Sequence, residues 1–422
     1  MKKIDVIIYF EHVVRELDAC LKLRYELEKR GLSVKIASIH LDRYINIVKY
    51  KPKVLILPFF YATKDITYFQ YKKAYDNILV LNLHQEQLYN SSTKSFFIPQ
   101  TEITKNVYHI AWSTNFYNDL IQAGIPDKYI RLTGNPRTDN YYLRLPSRMT
   151  KYESKELVFI PTSFSWYFVD EDYFLSNPAI DNDSYYFQRA LTEKTVYSFF
   201  SSLRKLAREY PSKIFVLRPH PFDPIDKYAK VLQDVDINTA IEENILINRE
   251  GNIYEWIRVS ELVISWLSTV ALEATVFGKK NIIWQPIELP EKMQMSFIKL
   301  YDKIYKDYEE VKNIIANPKL VSENSLVKDF AMQSFGRVDG TVNASIADWV
   351  YDIINEGCKG QTNNYQEIIT NYIKSMMIDA PKRVLRSLGL IKMLPFYKAI
   401  EEDLWTVKEL DVKYNVFKKE SI

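Results

Sequence analysis

Glycine is scarce in this chain. Ten of 422 residues are glycine, against a usual share of roughly 7%. No two stand in a G-x-G spacing, and no G-x-x-x-x-G-K-[ST] run occurs. The glycine-rich dinucleotide fingerprint and the Walker loop are therefore excluded. Any phosphate bound here is held by helix N-termini and side chains. Cys20 and Cys358 are the only cysteines, which excludes a disulfide framework and a cysteine-based zinc site and fits a reducing compartment. The five histidines, His12, His40, His84, His109 and His220, form no H-E-x-x-H or other close metal pair. Charge of one sign is also lacking: 56 basic against 53 acidic residues leave +3, too balanced to argue for nucleic acid. Long apolar runs are missing as well. The stretches Val54–Ala62 and Leu262–Gly278 are too short or carry Glu273, so no membrane-spanning helix is expected. The basic, then apolar N-terminus reads as a first strand rather than a signal peptide, because its apolar run is only Val6–Phe10 and Glu11 follows.

What is present is apolar and aromatic. Hydrophobic residues make up 47%, with 31 Tyr and 22 Phe, so large cores are expected and disorder is not. Strand-like and helix-like patterns alternate. Short apolar runs at Asp5–Phe10, Ser33–Ser38, Val54–Leu57, Ile78–Leu83, Tyr108–Trp112 and Ile130–Thr133 predict six strands separated by crossovers. Between the first two, Val14–Lys29 has helical spacing, closed by Gly31. The pattern restarts after a polar stretch, Leu145–Lys155, with strands expected at Leu157–Ile160, Lys213–Leu217, Ile245–Ile247, Leu262–Ser265 and Asn281–Trp284. From about Glu291 the pattern is helical only. The expected architecture is α/β: two Rossmann-like, doubly wound domains, residues 1–145 and 156–355, facing across a cleft, followed by a helical tail, 356–422.

Ligands of such sheets sit beyond the carboxyl ends of the strands, so the residues there are the candidates. Arg218-Pro219-His220-Pro221 follows a strand; two prolines stiffen the turn, and a guanidinium and an imidazole can hold phosphate oxygens. A rigid turn with an ion-pairing Arg is the plainer alternative. Ser268 and Thr269 open a helix after another strand, where they can cap it or contact phosphate. Glu273 lies one turn further, within reach of ribose hydroxyls. Asn135, Arg137 and Asp139 follow the last strand of the first domain, where Arg137 and Asp139 are expected to pair. Glu11, His84 and Glu86 end first-domain strands, and one of them is a candidate general base; polar lining is the alternative for each. Arg337 and Asp339 precede a last helix and either cap it or return to the cleft. Three D-x-D triplets, Asp170–Asp172, Asp181–Asp183 and Asp234–Asp236, follow no expected strand directly. They read as solvated loop charges, and no metal or other cofactor is expected.

The order E-x-x-x-R-E-L from Glu11, G-N-P-R-x-D from Gly134, R-P-H-P from Arg218, S-T-x-A-L-E-A from Ser268 and D-G-T from Asp339 resembles the bacterial surface carbohydrate biosynthesis proteins. These are similar to GT-B glycosyltransferases and, more distantly, to CDP-glycerol glycerophosphotransferases and capsule Kdo transferases. The resemblance spans residues 4–355. It implies a nucleotide-activated donor bound mainly by the second domain, with Arg218, His220, Ser268 and Thr269 facing its phosphates and Glu273 near the ribose. It implies a glycosyltransferase of surface polysaccharide synthesis, with alditol-phosphate transfer and a non-catalytic binding protein as alternatives. A GT-B-shaped epimerase would normally be shorter. Where many GT-B enzymes carry a glycine-rich loop after the first strand, this chain has Glu11-His12.

Residues 371–401 interleave apolar side chains with Lys374, Lys382, Arg383, Arg386, Lys392 and Lys398, and only Asp379 is acidic before Glu401. Such a basic amphipathic segment can lie on an anionic membrane surface. This suits a lipid-linked glycan acceptor and a cytoplasmic enzyme peripheral to the inner face of the plasma membrane. The alternative is a tail packed back across both domains.

Overall fold

A computed structural model describes residues 1–61, 66–88, 97–175, 181–357, 360–394, 397 and 400–422. Cys358 and Lys398 lie outside the described residues. By contact the chain divides into two units: Met1–Leu145 with Gln333–Ile422, and Pro146–Met332.

The first unit holds a six-stranded parallel sheet. Its strands are β1 (Lys2–Phe10), β2 (Val34–Ser38), β3 (Tyr50–Leu57), β4 (Leu79–Asn82), β5 (Tyr108–Ala111) and β6 (Ile130–Leu132), in the order β2-β1-β3-β4-β5-β6. The apolar runs follow from burial on both faces. In β1, Val6, Ile8 and Phe10 enter one core layer, while Ile7 and Tyr9 enter the other. In β3, Val54 and Ile56 face the first layer, and Leu55 and Leu57 the second. Successive side chains alternate across a strand, so a strand buried on both faces shows no polar alternation in its sequence.

The second unit repeats the plan. Its strands are β7 (Leu157–Pro161), β8 (Ile214–Arg218), β9 (Ile245–Ile247), β10 (Leu262–Ser265), β11 (Lys280–Trp284) and β12 (Ile304–Tyr305). The order is β12-β11-β10-β7-β8-β9, and every pairing is parallel. The strand β12 corrects the expectation of a purely helical chain beyond Glu291: two residues are too few to show a period.

The C-terminal residues correct the expected domain assignment. The helix Val342–Gly357 was expected to complete the second domain, but it packs in the first. Val342, Ile346, Ala347, Val350 and Ile354 join the core layer of Val6 and Ile8. Arg30, just past the helix Asp18–Lys29, donates to the Ala344 carbonyl at 3.0 Å and to Asp348 at 2.7 Å. Leu410, Tyr414 and Phe417 of the helix Val407–Glu420 fill the same layer.

The tail is helical through Pro381. The helix Tyr365–Lys374 runs on through a wide turn, Ser375–Asp379, into Ala380–Ser387, and Pro381 sits in the first turn of that last segment. A wide i→i+5 turn accommodates the missing N–H of proline without ending the helix. Gly389, at φ 67°, ends it.

Candidate functional site

In doubly wound sheets the ligand crevice lies where strand order reverses. In the second sheet the chain runs from β7 to β8 and β9 on one side and then crosses to β10 on the other. The reversal falls between β7 and β10, and the segments ending there are Thr162–Ser165, Arg218–Asp223 and Ser265–Thr269.

The turn after β8 is locked from below. One nitrogen of Arg249 donates to the carbonyls of His220, Pro221 and Asp223 at 3.1, 2.9 and 3.0 Å. Arg218, expected to face phosphate, is buried and donates to the carbonyls of Glu250 and Gly251 at 3.0 and 2.7 Å. These bonds hold two loops together and give the side chain a positioning role. His220 is half-buried. Its Nδ1 accepts the Phe222 N–H at 3.3 Å and lies 3.3 Å from Ser165 Oγ. An Nδ1 that accepts from the backbone puts the ring proton on Nε2. Ser165 donates in turn to Asp223 at 2.5 Å, and Tyr228 donates to the other oxygen at 2.6 Å. Burial pushes Asp223 up to about 6 against these hydrogen bonds. Ser165, Asp223 and Arg249 were not among the sequence candidates. Asp223 lies three residues beyond His220 in the same proline-rich turn, a signal that the sequence did carry.

Across the reversal, Ser265 Oγ accepts the Ser268 N–H at 3.2 Å, and Ser268 Oγ accepts the Val270 N–H at 3.3 Å. Ser268 thus caps the helix Val270–Val276. Thr269 is half-buried beside it, and its hydroxyl has no partner among the described residues. Glu273 is buried, with one oxygen 3.4 Å from the Tyr254 hydroxyl.

In the first sheet the reversal falls between β1 and β3. Glu11 and His12 follow β1 there. Glu11 is half-buried; its Oε2 stands 3.6 Å from His12 Nε2 and 3.7 Å from Arg15. Burial and the neighbouring Glu16 raise its pKa against the charges of His12 and Arg15. Glu16 beneath it is fully buried and accepts the Glu11 N–H at 2.8 Å and Arg15 at 2.9 Å. Glu86, after β4, is half-buried and accepts the Leu88 N–H at 3.0 Å. His12 was not a candidate, yet its Nδ1 is 3.0 Å from Asp403 Oδ2, a residue of the tail.

His84 as a base is corrected. Its backbone takes φ 48° after β4. It is fully buried, its Nε2 lies 2.9 Å from His109 Nδ1, and burial with the His109 charge drives its pKa well below the usual value. A side chain with no exposed surface does not meet a substrate.

The expected Arg137–Asp139 pair is corrected too. Asp139 accepts the N–H groups of Val342 and Asn343 at 3.1 and 2.8 Å and the Asn343 amide at 2.9 Å, so it caps the helix Val342–Gly357. Asn135 is buried; its N–H donates to the Phe335 carbonyl at 2.9 Å, and its Oδ1 accepts the Arg137 N–H at 3.0 Å. Arg137 is buried with its guanidinium 5.2 Å over the Trp112 ring and makes no ion pair among the described residues. Asp339 is exposed and closes its own turn onto Thr341, with Arg337 3.7 Å away.

No protein-family model matches the chain, and no curated protein matches it in sequence. Solved structures do match in fold. The UDP-GlcNAc 2-epimerase from Neisseria meningitidis bound to UDP-GlcNAc aligns over 83% of this chain and 100% of its own, at 14% identity and a TM-score of 0.50. The S. aureus MnaA–UDP structure aligns over 84% of this chain and 97% of its own, at 16% identity and a TM-score of 0.50. The wall teichoic acid polymerase TagF with CDPG aligns over 84% of this chain and 90% of its own, at 12% identity and a TM-score of 0.52. The two parallel six-stranded sheets with their helices define a protein of the GT-B fold. Its structural neighbours include nucleotide-sugar epimerases and a teichoic acid polymerase.

Proposed function

We propose that the protein is a transferase of cell-surface glycopolymer synthesis that moves a sugar from a nucleotide-activated donor to a glycan acceptor. A polyol phosphate such as glycerol phosphate is the alternative cargo, favoured by the TagF likeness. The observation that carries the reading is the locked turn after β8. His220 Nε2–H is set by the Phe222 contact at the edge of a parallel sheet, in a fold whose neighbours hold UDP, UDP-GlcNAc and CDPG. In this reading His220 and Thr269 contact the donor phosphates, Arg218 and Arg249 hold the turn, and Ser268 and Glu273 line the same strand end. Arg137, a buried cation without a carboxylate partner among the described residues, is a second place for an anionic group of a substrate. No metal takes part, since the charged work falls to these side chains.

The test is nucleotide release and donor isomerisation with CMP-, CDP-, UDP- and GDP-linked compounds. His220→Ala is expected to lower turnover by about 10- to 150-fold, the worth of one charge-assisted contact of about 1.5–3 kcal/mol. Turnover and donor affinity both within about twofold of wild type would defeat the assignment. Isomerisation without release would make the protein an epimerase. Loss of activity in EDTA, restored by magnesium or manganese, would overturn the metal-free part.

We also propose that the acceptor is lipid-linked and that the enzyme is cytoplasmic, on the inner face of the plasma membrane, held there by the tail. No described helix is long and apolar enough to cross a membrane. Ile369, Tyr372, Ile373, Met376, Met377, Val384, Leu388 and Met393 are all exposed. The one acidic side chain among them, Asp379, is buried and accepts the N–H groups of Tyr44 and Ile45 at 2.9 and 2.8 Å, which leaves the outer face without an anion. Arg383 and Arg386 are paired with Asp42 and Glu409. Lys374, Lys382 and Lys392 remain for anionic head groups, at about 1 kcal/mol each. Met376→Glu with Met377→Glu is expected to release the protein from phosphatidylserine liposomes at low salt while nucleotide release stays at the wild-type rate. Full-length protein that ignores such liposomes would sink this part.

A further inference from the structure

Among the described residues four arginines are buried: Arg24, Arg137, Arg204 and Arg218. Three of them have partners. Arg24 pairs with Glu28 and Asp411 at 2.9 and 2.7 Å. Arg204 pairs with Glu242 at 2.8 Å and donates to the carbonyls of Leu232 and Asp236. Arg218 donates to the carbonyls of Glu250 and Gly251. The side chain of Arg137, with the residue 6% exposed, makes no hydrogen bond and no ion pair among the described residues. We propose that Arg137 anchors an acceptor subsite, where it takes an oxyanion carried by the acceptor, a phosphate or a sugar carboxylate. This rests on the transferase reading.

A guanidinium is almost never buried without a partner, because it gives up water and gains nothing in return. The Trp112 ring, 5.2 Å from the guanidinium, favours a cation, but the ring face does not replace the in-plane acceptors that the N–H groups need. Its neighbours are short of acceptors too. Arg137 Nε, Trp112 Nε1 and Asn135 Nδ2 are all buried donors without an acceptor among the described residues. Such donors are uncommon in native structures. Three of them beside a cation match a ligand that only accepts, which is what an oxyanion does. No oxygen of this group competes for the guanidinium, since Asn135 Oδ1 is taken by the Arg137 N–H.

Trp112 follows β5, and Asn135 and Arg137 follow β6. The group therefore lies at the carboxyl edge of the first sheet, where doubly wound sheets hold their ligands. Its backbone is fixed before any ligand arrives: Asn135 N–H donates to the Phe335 carbonyl at 2.9 Å, and Thr138 Oγ1 donates to the Asn135 carbonyl at 2.7 Å. An anchor ordered in advance loses less freedom on binding. Arg137 Nε is sealed from solvent, while the two Nη groups keep the little surface the side chain has. Their N–H bonds fork, so one phosphate or carboxylate can be held through two parallel hydrogen bonds. The donor phosphates fall to His220 and Thr269 of the second unit, which leaves this cation of the first unit for the other substrate.

The experiment uses the full-length chain and reads the Arg137 Nε–H signal in a ¹⁵N-arginine spectrum, assigned by its loss in Arg137→Lys. The probes are N-acetylglucosamine 1-phosphate for a phosphate source and glucuronate for a carboxylate source, with N-acetylglucosamine and chloride as controls. At least one of the two anions is expected to shift the signal saturably, with a Kd of about 1 mM or below, and the tighter of them identifies the source. N-acetylglucosamine is expected to leave the signal in place. By calorimetry in a His220→Ala background, Arg137→Gln should weaken that binding by about 10- to 150-fold. Arg137→Lys should recover only part of it, because an ammonium does not make the two parallel bonds. If Arg137→Gln does not fold, Arg137→Lys and the wild-type shift decide. No shift from either anion at about 10 mM, ten times that Kd, overturns the subsite. An equal shift from chloride at matched ionic strength means an adventitious ion only and overturns it as well. Nucleotide release from UDP-N-acetylglucosamine and CDP-glycerol is followed alongside. His220→Ala should lower release and leave the Arg137 shift intact. A shift without release by the wild type removes the transferase reading and the acceptor assignment with it; release without a shift removes the subsite alone.

Discussion

Deleting Val407–Ile422 is expected to unfold the first unit rather than trim it. Val407, Leu410, Tyr414 and Phe417 are buried, and the last three belong to the layer of Val6, Ile8 and Phe10. Burying each such side chain stabilises by roughly 1.5–3 kcal/mol, so the joint loss of the four is on the order of 6–12 kcal/mol. That is comparable to the whole stability of a domain, about 5–15 kcal/mol. The deletion also removes Asp411 from Arg24, 2.7 Å away, and the Tyr414 hydroxyl from Glu28, 2.7 Å away. Urea denaturation followed by far-UV circular dichroism should show the loss of one transition. A truncated chain with both transitions at their wild-type midpoints would contradict this packing. Liposome binding is for the same reason tested by point substitutions in 376–377 and not by truncation.

Replacing Gly336 by Ala is expected to cost about 2–5 kcal/mol, more than Gly31→Ala. Both glycines have positive φ, 66° and 79°, so both substitutions carry the left-handed strain of about 1–2 kcal/mol. Around Gly31 a Cβ meets nothing within 4 Å, whereas at Gly336 it falls 1.9 Å from the Trp112 carbonyl oxygen and 3.2 Å from the Gly134 Cα. Those are backbone atoms and do not rotate away, so the loop itself must move, at a further cost of about 1–3 kcal/mol. Movement there separates the Asn135 N–H from the Phe335 carbonyl, now at 2.9 Å. Chemical denaturation of both variants is the measurement; equal losses for Gly31→Ala and Gly336→Ala would refute the argument.

The same loop explains one misreading of the site. The loop G-N-P-R-x-D from Gly134, with Arg137 and Asp139 expected to pair, and the turn of Arg337 and Asp339, expected to cap a helix or to return to the cleft, each combine glycine with charged residues at an element boundary. They are partners of each other. Gly134 and Gly336 let two backbones meet, and Asp139 caps the helix that begins at Val342. Only Arg137 keeps a charge without a carboxylate partner among the described residues. His84 was misread for a different reason. Its place after a strand was correct, but its ring is buried against His109, 2.9 Å away.

The strands were legible from the sequence by itself. A parallel strand buried on both faces is a short, nearly unbroken apolar run, and such runs mark most of the twelve strands named above; β6 is exposed at Arg131 and Leu132, and β12 has two residues and no pattern to read. The alternation of such runs with helical spacing carried the α/β class, and the proline-rich turn carried His220. Which strand lies beside which, and hence where each sheet reverses, came only with the tertiary structure, because hydrogen bonds between parallel strands leave no trace in local periodicity. The tertiary structure alone also decided that the tail closes the first core, that Arg218 and Arg249 hold a turn, and that Asp403 meets His12. Those contacts join residues up to 391 positions apart. Local pattern reports only which face of an element is buried; it does not report which distant side chain completes the burial.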